Sequence, residues 1–597
     1  MFETKLVRRI EDVHPSTWMP FWTRVYVNSD LVGLCIGNTE DLHVKLLALR
    51  RAGEFRFDVS LAWNRLENIY TITCDAGRPI RPVYREGVNE SDVLAAKTWQ
   101  DLMKLMDFVD ATESGVARFS LTPFHPTLQS EIHMSFCLSP LANLTPFLDH
   151  NPGTRNNFSI AQQKQACSWF HTNYNKRFDT ISSITVNPQK PLSHTWMYRE
   201  MMGSGGCMPY GENVIVAFTT YGGHNQEDSM IINENSLKRG MFRTHYFHSY
   251  DVRETILDPS VVPPVRTLFA NPVTNPKYSD AVKRKEDVSY EMLDADGIIK
   301  LNSIVDDKTV LVGIVTPITD SEGTEKGFRD ASQLPKRGQH GRVDGIYRYS
   351  MPDGSNGVKI RIVEERSPVP GDKMASRHSQ KGTVGQLIPE ENMPFTERGL
   401  RPDIVFNPHG LPTRMTIGQL IEAMSNKLGI QLGTFIDATP FTVSNRIADL
   451  KTEMTLRGFE PHGHEILYNG ETGEMMEADV FMGPIYYQRL KHMVEDKINY
   501  RATGPKTLLT HQPLHGRAKG GGLAIGEMER DGMVAHGMSK FLHESFMDRS
   551  DGSEVQINRS TGTLDTSPDT MPMPYAMSLF VKELESSHIQ IKLLTQN

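Results

Sequence analysis

Residues 244–366 carry more charge than the sequence on either side, together with scattered proline and glycine, and this break constrains the fold more than any other feature. Proline and glycine interrupt helices and favour short strands joined by turns. The block predicts an inserted β-rich domain, with 358–363 as one of its strands. Around it the periodicities are mixed. Residues 23–27 and 70–73 alternate as strands, and 42–50 reads as a helix between them. Residues 92–107 predict a second helix, with Val93, Leu94, Trp99, Leu102 and Leu105 near helical spacing. A third is expected over 160–174, after a turn at 153–157. Residues 213–219 form an apolar strand that runs into Gly222-Gly223. Residues 417–428 predict a helix, and 482–500 a long one of mixed polarity. The expected class is mixed α+β and multidomain.

The chain has 64 Lys+Arg against 72 Asp+Glu, a net charge of -8. A protein that binds nucleic acid by its overall field is normally basic, so any such contact must be focused in a cleft or completed by partners. The five cysteines (Cys35, Cys74, Cys137, Cys167, Cys207) form no CxxC pair. That points to a reducing compartment without disulfides, and away from a cysteine zinc site. No apolar run approaches membrane-spanning length, so a soluble intracellular chain with no membrane contact is expected.

Two constellations carry chemistry. In residues 371–383, Lys373, Arg377 and Lys381 stand four apart between glycines, with no carboxylate from 373 to 381. Such a row suits phosphates, and the small flanking residues admit close backbone approach. The same residues also suit a solvated strip on a helix face. Glu227-Asp228 follow a Gly-Gly turn. Their hard oxygens suit Mg²⁺ held together with substrate phosphates, or else the start of a helix, where acidic residues are favoured.

Residues 223–230, 371–383, 407–416 and 526–531 together resemble, in order and spacing, the second-largest subunit of multisubunit DNA-directed RNA polymerases of the archaeal and eukaryotic type. The likeness runs from near residue 22 to the C-terminus. It implies a discontinuous hybrid-binding domain (142–243 and 367–491) with a double-psi β-barrel. The remaining parts would be an external-domain portion at 1–141, the wall at 244–366, an anchor at 492–546 and a clamp-joining segment at 547–597. It implies DNA-templated attack of an RNA 3′-hydroxyl on a nucleoside triphosphate. Arg155 and Arg414 would reach the triphosphate, and Lys373 and Lys381 the RNA 3′ end. Gln165 and Arg377 would lie along the nucleic acid, and Arg517 and Lys519 in a switch loop near the hybrid. Glu227 and Asp228 would face a second Mg²⁺, directly or through water. The first Mg²⁺ would be held by a largest subunit, whose Asp triplet is not found in this chain.

The resemblance further implies smaller polymerase subunits, DNA template, RNA transcript and nucleoside triphosphates as partners. Two departures stand out. Where the family carries a cysteine zinc site, this chain has Asn558 and Thr561, so no zinc is expected. The chain also starts inside the external region, which suggests one half of a split subunit, with a separate chain carrying the N-terminal half. Split subunits fit some archaea, and loss of the zinc ligands fits a large DNA virus. Two other readings are a non-catalytic paralogue serving as an assembly or nucleic-acid-binding platform, and an RNA-templated polymerase of the double-barrel type.

Overall fold

The chain folds as two units, each assembled from segments far apart in sequence. The computed structural model describes residues 5–258, 265–279, 281–319, 325–442 and 446–593. Met1–Gln163, Leu192–Gly206 and Arg414–Pro461 make the first unit. Lys164–Pro191, Cys207–Thr413 and His462–Asn597 make the second. Among the described residues no helix is long and apolar enough to cross a membrane.

In the first unit, the helix Thr39–Ala52 packs on a five-stranded sheet that contains Thr23–Val27 and Ile69–Thr73. Asn38 caps its start by accepting the Glu40 N–H (3.1 Å), and Gly53 ends it with φ 84°, a left-handed conformation that favours glycine. Leu42 and Leu46, one turn apart, are fully buried. A second sheet is held by arginines that meet buried carboxylates: Arg50–Glu113 (2.8 Å), Arg78–Asp110 (2.6 Å) and Arg81–Glu131 (2.7 Å). Burial alone would raise the Asp107 carboxyl, but the guanidiniums of Arg51 and Arg85 outweigh it and hold the group below the usual range.

The second unit is built on a ring of six strands, labelled in chain order: β1 (Glu212–Phe218), β2 (Ser229–Asn233), β3 (Lys373–Ser376), β4 (Lys381–Ile388), β5 (Ile404–Phe406) and β6 (Met475–Arg489). The order around the ring is β1-β5-β2-β4-β3-β6, and β6 pairs back on β1 to close it. The β1–β5 and β2–β4 pairs are parallel. These strands are covered on both faces, which is why they read as continuous apolar runs. Val216, Met230, Ile231, Ile232, Ile404, Val405 and Phe406 have no exposed surface. Each such side chain contributes roughly 1.5–3 kcal/mol through burial. Between β2 and β3 the chain leaves the ring into long strands, Thr244–Arg253, Gly341–Ser350 and Asn356–Arg366, which pair antiparallel around Val252, Val343, Val358 and Ile360.

Three expected helices come out differently. Residues 92–107 break into Glu90–Ala95 and Trp99–Leu105, because the chain is extended at Ala96 and Thr98 caps a new start. Met106–Asp110 then enters a sheet. The third helix begins earlier, at Gly153, and ends at Gln163. Residues beyond it are tied to β6 instead, with the Cys167 N–H donating to the Arg489 carbonyl at 2.8 Å. The long helix expected over 482–500 is replaced by the end of β6 over residues 482–489, followed by a short helix, Val494–Lys497. Met482, Ile485, Tyr486 and Tyr487 are all buried, so no polar–apolar alternation marks this strand.

Candidate nucleotide and nucleic-acid site

The row of cations lies on a hairpin, not on a helix. β3 and β4 pair antiparallel, with Lys373 opposite Thr383 and Ala375 opposite Lys381. Lys373 and Lys381 are therefore diagonal neighbours on one face of the hairpin, roughly 7–8 Å apart at Cα. Lys381 is exposed and Lys373 half-buried. Arg377 departs from the sequence expectation. It sits in the turn between the two lysines, is 0% exposed, and its guanidinium lies 5.0 Å from the Tyr486 ring centre. The turn folds into the unit, with the His378 N–H on Ser376 Oγ (3.2 Å), Ser379 at φ 61°, and Gln380 Nε2 on the Gly410 carbonyl (3.0 Å). Arg377 thus braces the hairpin and has no surface for nucleic acid.

Beside the lysines stands His492, which the sequence reading did not single out. The Lys491 N–H donates to the Gln165 carbonyl at 2.9 Å, and His492 Nε2 lies 3.1 Å from Gln165 Oε1. The Leu490 N–H donates to the Lys373 carbonyl at 2.9 Å. The turn carrying these groups is locked by Asp372. One of its oxygens accepts Arg489 Nη2 (2.6 Å), and the other accepts the Val494 N–H (3.0 Å). Burial, then the charges of Lys497, Lys373, Lys491 and Lys381, push the His492 imidazole below its usual proton affinity. Gln165 and the neutral His492 thus stand among the positive charges of Lys373, Lys381, Lys491 and Lys497. An anion arriving there would relieve the mutual repulsion of the cations. The signal for His492 was its place among Lys491 and Lys497, hidden by the expected helix.

Glu227 and Asp228 do not start a helix. They form the turn before β2, and both are left-handed, at φ 47° and 70°. Two successive non-glycine residues in this region hold roughly 1–3 kcal/mol of strain each, a pattern concentrated at functional sites. The turn abuts β4, where the Thr383 N–H donates to the Asp228 carbonyl at 3.1 Å. Gly382 makes this approach possible, because a Cβ there would lie 2.7 Å from the Asp228 oxygen and 2.6 Å from Met230 Cε. Among the described residues no group of three or more His, Cys, Asp or Glu could hold a metal ion. Two adjacent carboxylates fit a Mg²⁺ delivered with substrate phosphates, and do not make a cage for a resident ion.

The first unit holds the two remaining arginines. Arg155 lies on the helix Gly153–Gln163 with its guanidinium 5.5 Å from the Phe158 ring centre. Arg414 ends the short helix Gly410–Arg414, just before the buried helix Ile417–Leu432. Asn151 ties the two turns together by accepting the Gly418 N–H at 3.0 Å. Neither spacing nor composition marked Asn151. In the second unit, Arg517 and Lys519 lie in a one-turn helix ended by Gly520, with Arg517 half-buried and Lys519 exposed.

The chain matches the family model for RNA polymerase Rpb2 domain 6 over residues 141–519, that for domain 7 over 521–596, and that for domain 4 over 25–85. It is 36% identical to DNA-directed RNA polymerase II subunit RPB2 of Encephalitozoon cuniculi, over 95% of this chain and 52% of the relative. It is 35% identical to DNA-directed RNA polymerase II subunit 2 of Arabidopsis thaliana, over 98% and 52%. To DNA-directed RNA polymerase subunit Rpo2 of Sulfolobus acidocaldarius it is 34% identical, over 96% and 53%. The chain spans about half the length of the curated relatives it matches.

Proposed function

Because the chain belongs to the RNA polymerase Rpb2 family, we propose that it supplies the phosphate-binding side of a nucleotidyl-transfer site for DNA-directed RNA synthesis. One observation carries this reading: Lys373, Lys381, Gln165 and His492 converge on one hairpin next to the strained Glu227-Asp228 turn. Neither lysine has an ion pair among the described residues, so the cluster invites an anion.

In this reading the six-stranded ring is a double-psi β-barrel, and the β-rich excursion between β2 and β3 is the wall. Lys373 and Lys381 hold the phosphates at the RNA 3′ end, with Gln165 and His492 beside the backbone. Arg155 and Arg414 clamp the triphosphate through bidentate contacts. Arg517 and Lys519 lie along the hybrid. Asp228, with Glu227, faces the Mg²⁺ that travels with the nucleotide, and that ion supplies charge neutralisation on the triphosphate. The first Mg²⁺ belongs to a largest subunit, which acts as partner together with smaller subunits, template and transcript in an intracellular complex. Such chemistry rests on positioning and electrostatics more than on covalent participation of the protein.

The test is Lys381→Ala in the assembled polymerase that contains this chain. Single-nucleotide addition is expected to fall roughly 10- to 100-fold, from loss of a charged contact worth about 1.5–3 kcal/mol. Retention of a DNA–RNA scaffold should stay near wild type. Unchanged addition rates would overturn the assignment.

A further inference from the structure

In the first unit the helices Ile417–Leu432 and Arg446–Leu456 pack against each other, and both line a cavity of about 240 Å³. Phe147, Ile436 and Leu450 give it apolar walls. Phe147 is 2% exposed, and its N–H donates to the Ala438 carbonyl at 3.1 Å. The charged groups of the lining have one sign: Asp437, Asp449 and Glu453, with no cation among them. Glu453 has Arg457 at 3.5 Å, outside the lining. Asp437 accepts the Thr439 N–H at 3.0 Å. Asp449 is exposed and has no hydrogen bond or ion pair among the described residues. Ser425 also lines the cavity and is 1% exposed, and its Oγ has no hydrogen-bond partner among the described residues.

A buried hydroxyl is normally paired, and like charges gathered at one opening repel unless a counter-charge joins them. A water would satisfy the hydroxyl and leave the charge uncompensated. We propose that the cavity binds a primary alkylammonium group. The ammonium donates to Ser425 Oγ and stands among Asp437, Asp449 and Glu453, and its methylene stem lies along Phe147, Ile436 and Leu450. An ammonium is a compact point charge with three donors on a flexible stem, which suits a cavity that holds one side chain. Such stems bury readily against apolar surface while the head keeps its polar partners. A lysine side chain of a partner protein and a free polyamine share this chemistry. No residue of this cavity belongs to the proposed nucleotide site.

Ligand-observed NMR titrations of the full chain test the site, with Nα-acetyl-lysine methylamide, its norleucine counterpart and spermidine as probes. The norleucine compound keeps the stem without the charge, and should bind at least about tenfold more weakly than the lysine compound. Asp449→Asn and Ser425→Ala should each weaken lysine-compound binding roughly three- to tenfold. Glu40→Gln removes the same charge from another exposed position and should change nothing. Near-ultraviolet circular dichroism checks that each variant is folded, and if Ser425→Ala is not, the exposed Asp449→Asn carries the test. Tighter binding of spermidine marks a free polyamine and tighter binding of the lysine compound a partner's side chain, and either satisfies the proposal. Equal binding of the lysine and norleucine compounds would overturn it. So would affinities unmoved by Asp449→Asn, or a loss with Glu40→Gln as large as that with Asp449→Asn.

Discussion

Cations do opposite work in two regions of this molecule. In the first unit, Arg50, Arg51, Arg78, Arg81 and Arg85 each meet a buried carboxylate, and the carboxylates are less than 5% exposed. Their charge is spent inside the protein. On the β3–β4 hairpin, Lys373 and Lys381 have no such partner among the described residues, and they are held in place by backbone pairing instead. The contrast separates charge paired inside the protein from charge left at its surface better than sequence position does, because both regions are rich in basic residues. Arg377 shows that the two roles can alternate within one motif: it is buried while the lysines on either side are not.

The comparison can be broken most directly at Arg50. Arg50→Ala leaves Glu113 buried without its cation, and should cost about 3–5 kcal/mol in the denaturant stability of the first unit. A loss below about 1 kcal/mol would mean that the buried pairs are not what holds this sheet. Lys381→Ala should do the reverse. Nucleotide addition should drop by about 1.5–3 kcal/mol of activation free energy, while the unfolding midpoint stays put.

Glu212 sharpens the contrast as a buried carboxyl with no paired cation among the described residues. Burial, offset in part by the Phe242 N–H and reinforced by Asp403, pushes it up to about 7. A raised carboxyl keeps its proton in the folded state after the unfolded chain has lost it. Its contribution is therefore present below the ordinary range near pH 4.5 and lost as pH rises to about 7. Glu212→Gln should remove that dependence and raise stability at neutral pH by about 2 kcal/mol, measured as unfolding midpoint against pH. A wild-type midpoint that rises from pH 4.5 to 7 would contradict this. The smallest effect is expected at Arg56, 78% exposed beside Asp58. Arg56→Ala should change stability by less than about 0.5 kcal/mol, since an exposed pair is screened.

Of the ring, only β1 was legible in the sequence, because its signal is local. The apolar run over 213–219 states its own structure, as the pattern after Ile417 does in the first unit. β6 was misread because a strand buried on both faces shows no alternation, and its tyrosines mimic a helical stripe. That error also hid His492, whose meaning depends on Gln165, more than three hundred residues earlier (hydrogen bond 3.1 Å). The spacing of Lys373, Arg377 and Lys381 suggested a helix face. On a hairpin the same spacing turns the middle residue inward. Asn151 gave no signal, since its role arises only where distant segments meet.

Gly382 and Gly385, both on β4, set one dimension of this face: a Cβ at Gly385 would lie 2.4 Å from the His224 carbonyl oxygen, and one at Gly382 2.7 Å from that of Asp228. The separation between the acidic turn and the strand bearing Lys381 is fixed by the absence of a side-chain carbon at these two positions, since even alanine would collide with the backbone of the turn. A spacing defined this way has no neighbouring values. It cannot be widened in small steps by trying slightly larger side chains, because the first step already forces β2 and β4 apart. The acid and the base on this face therefore vary together or not at all, and evolution can alter the reach of Lys381 only by rebuilding the strand pair as a unit.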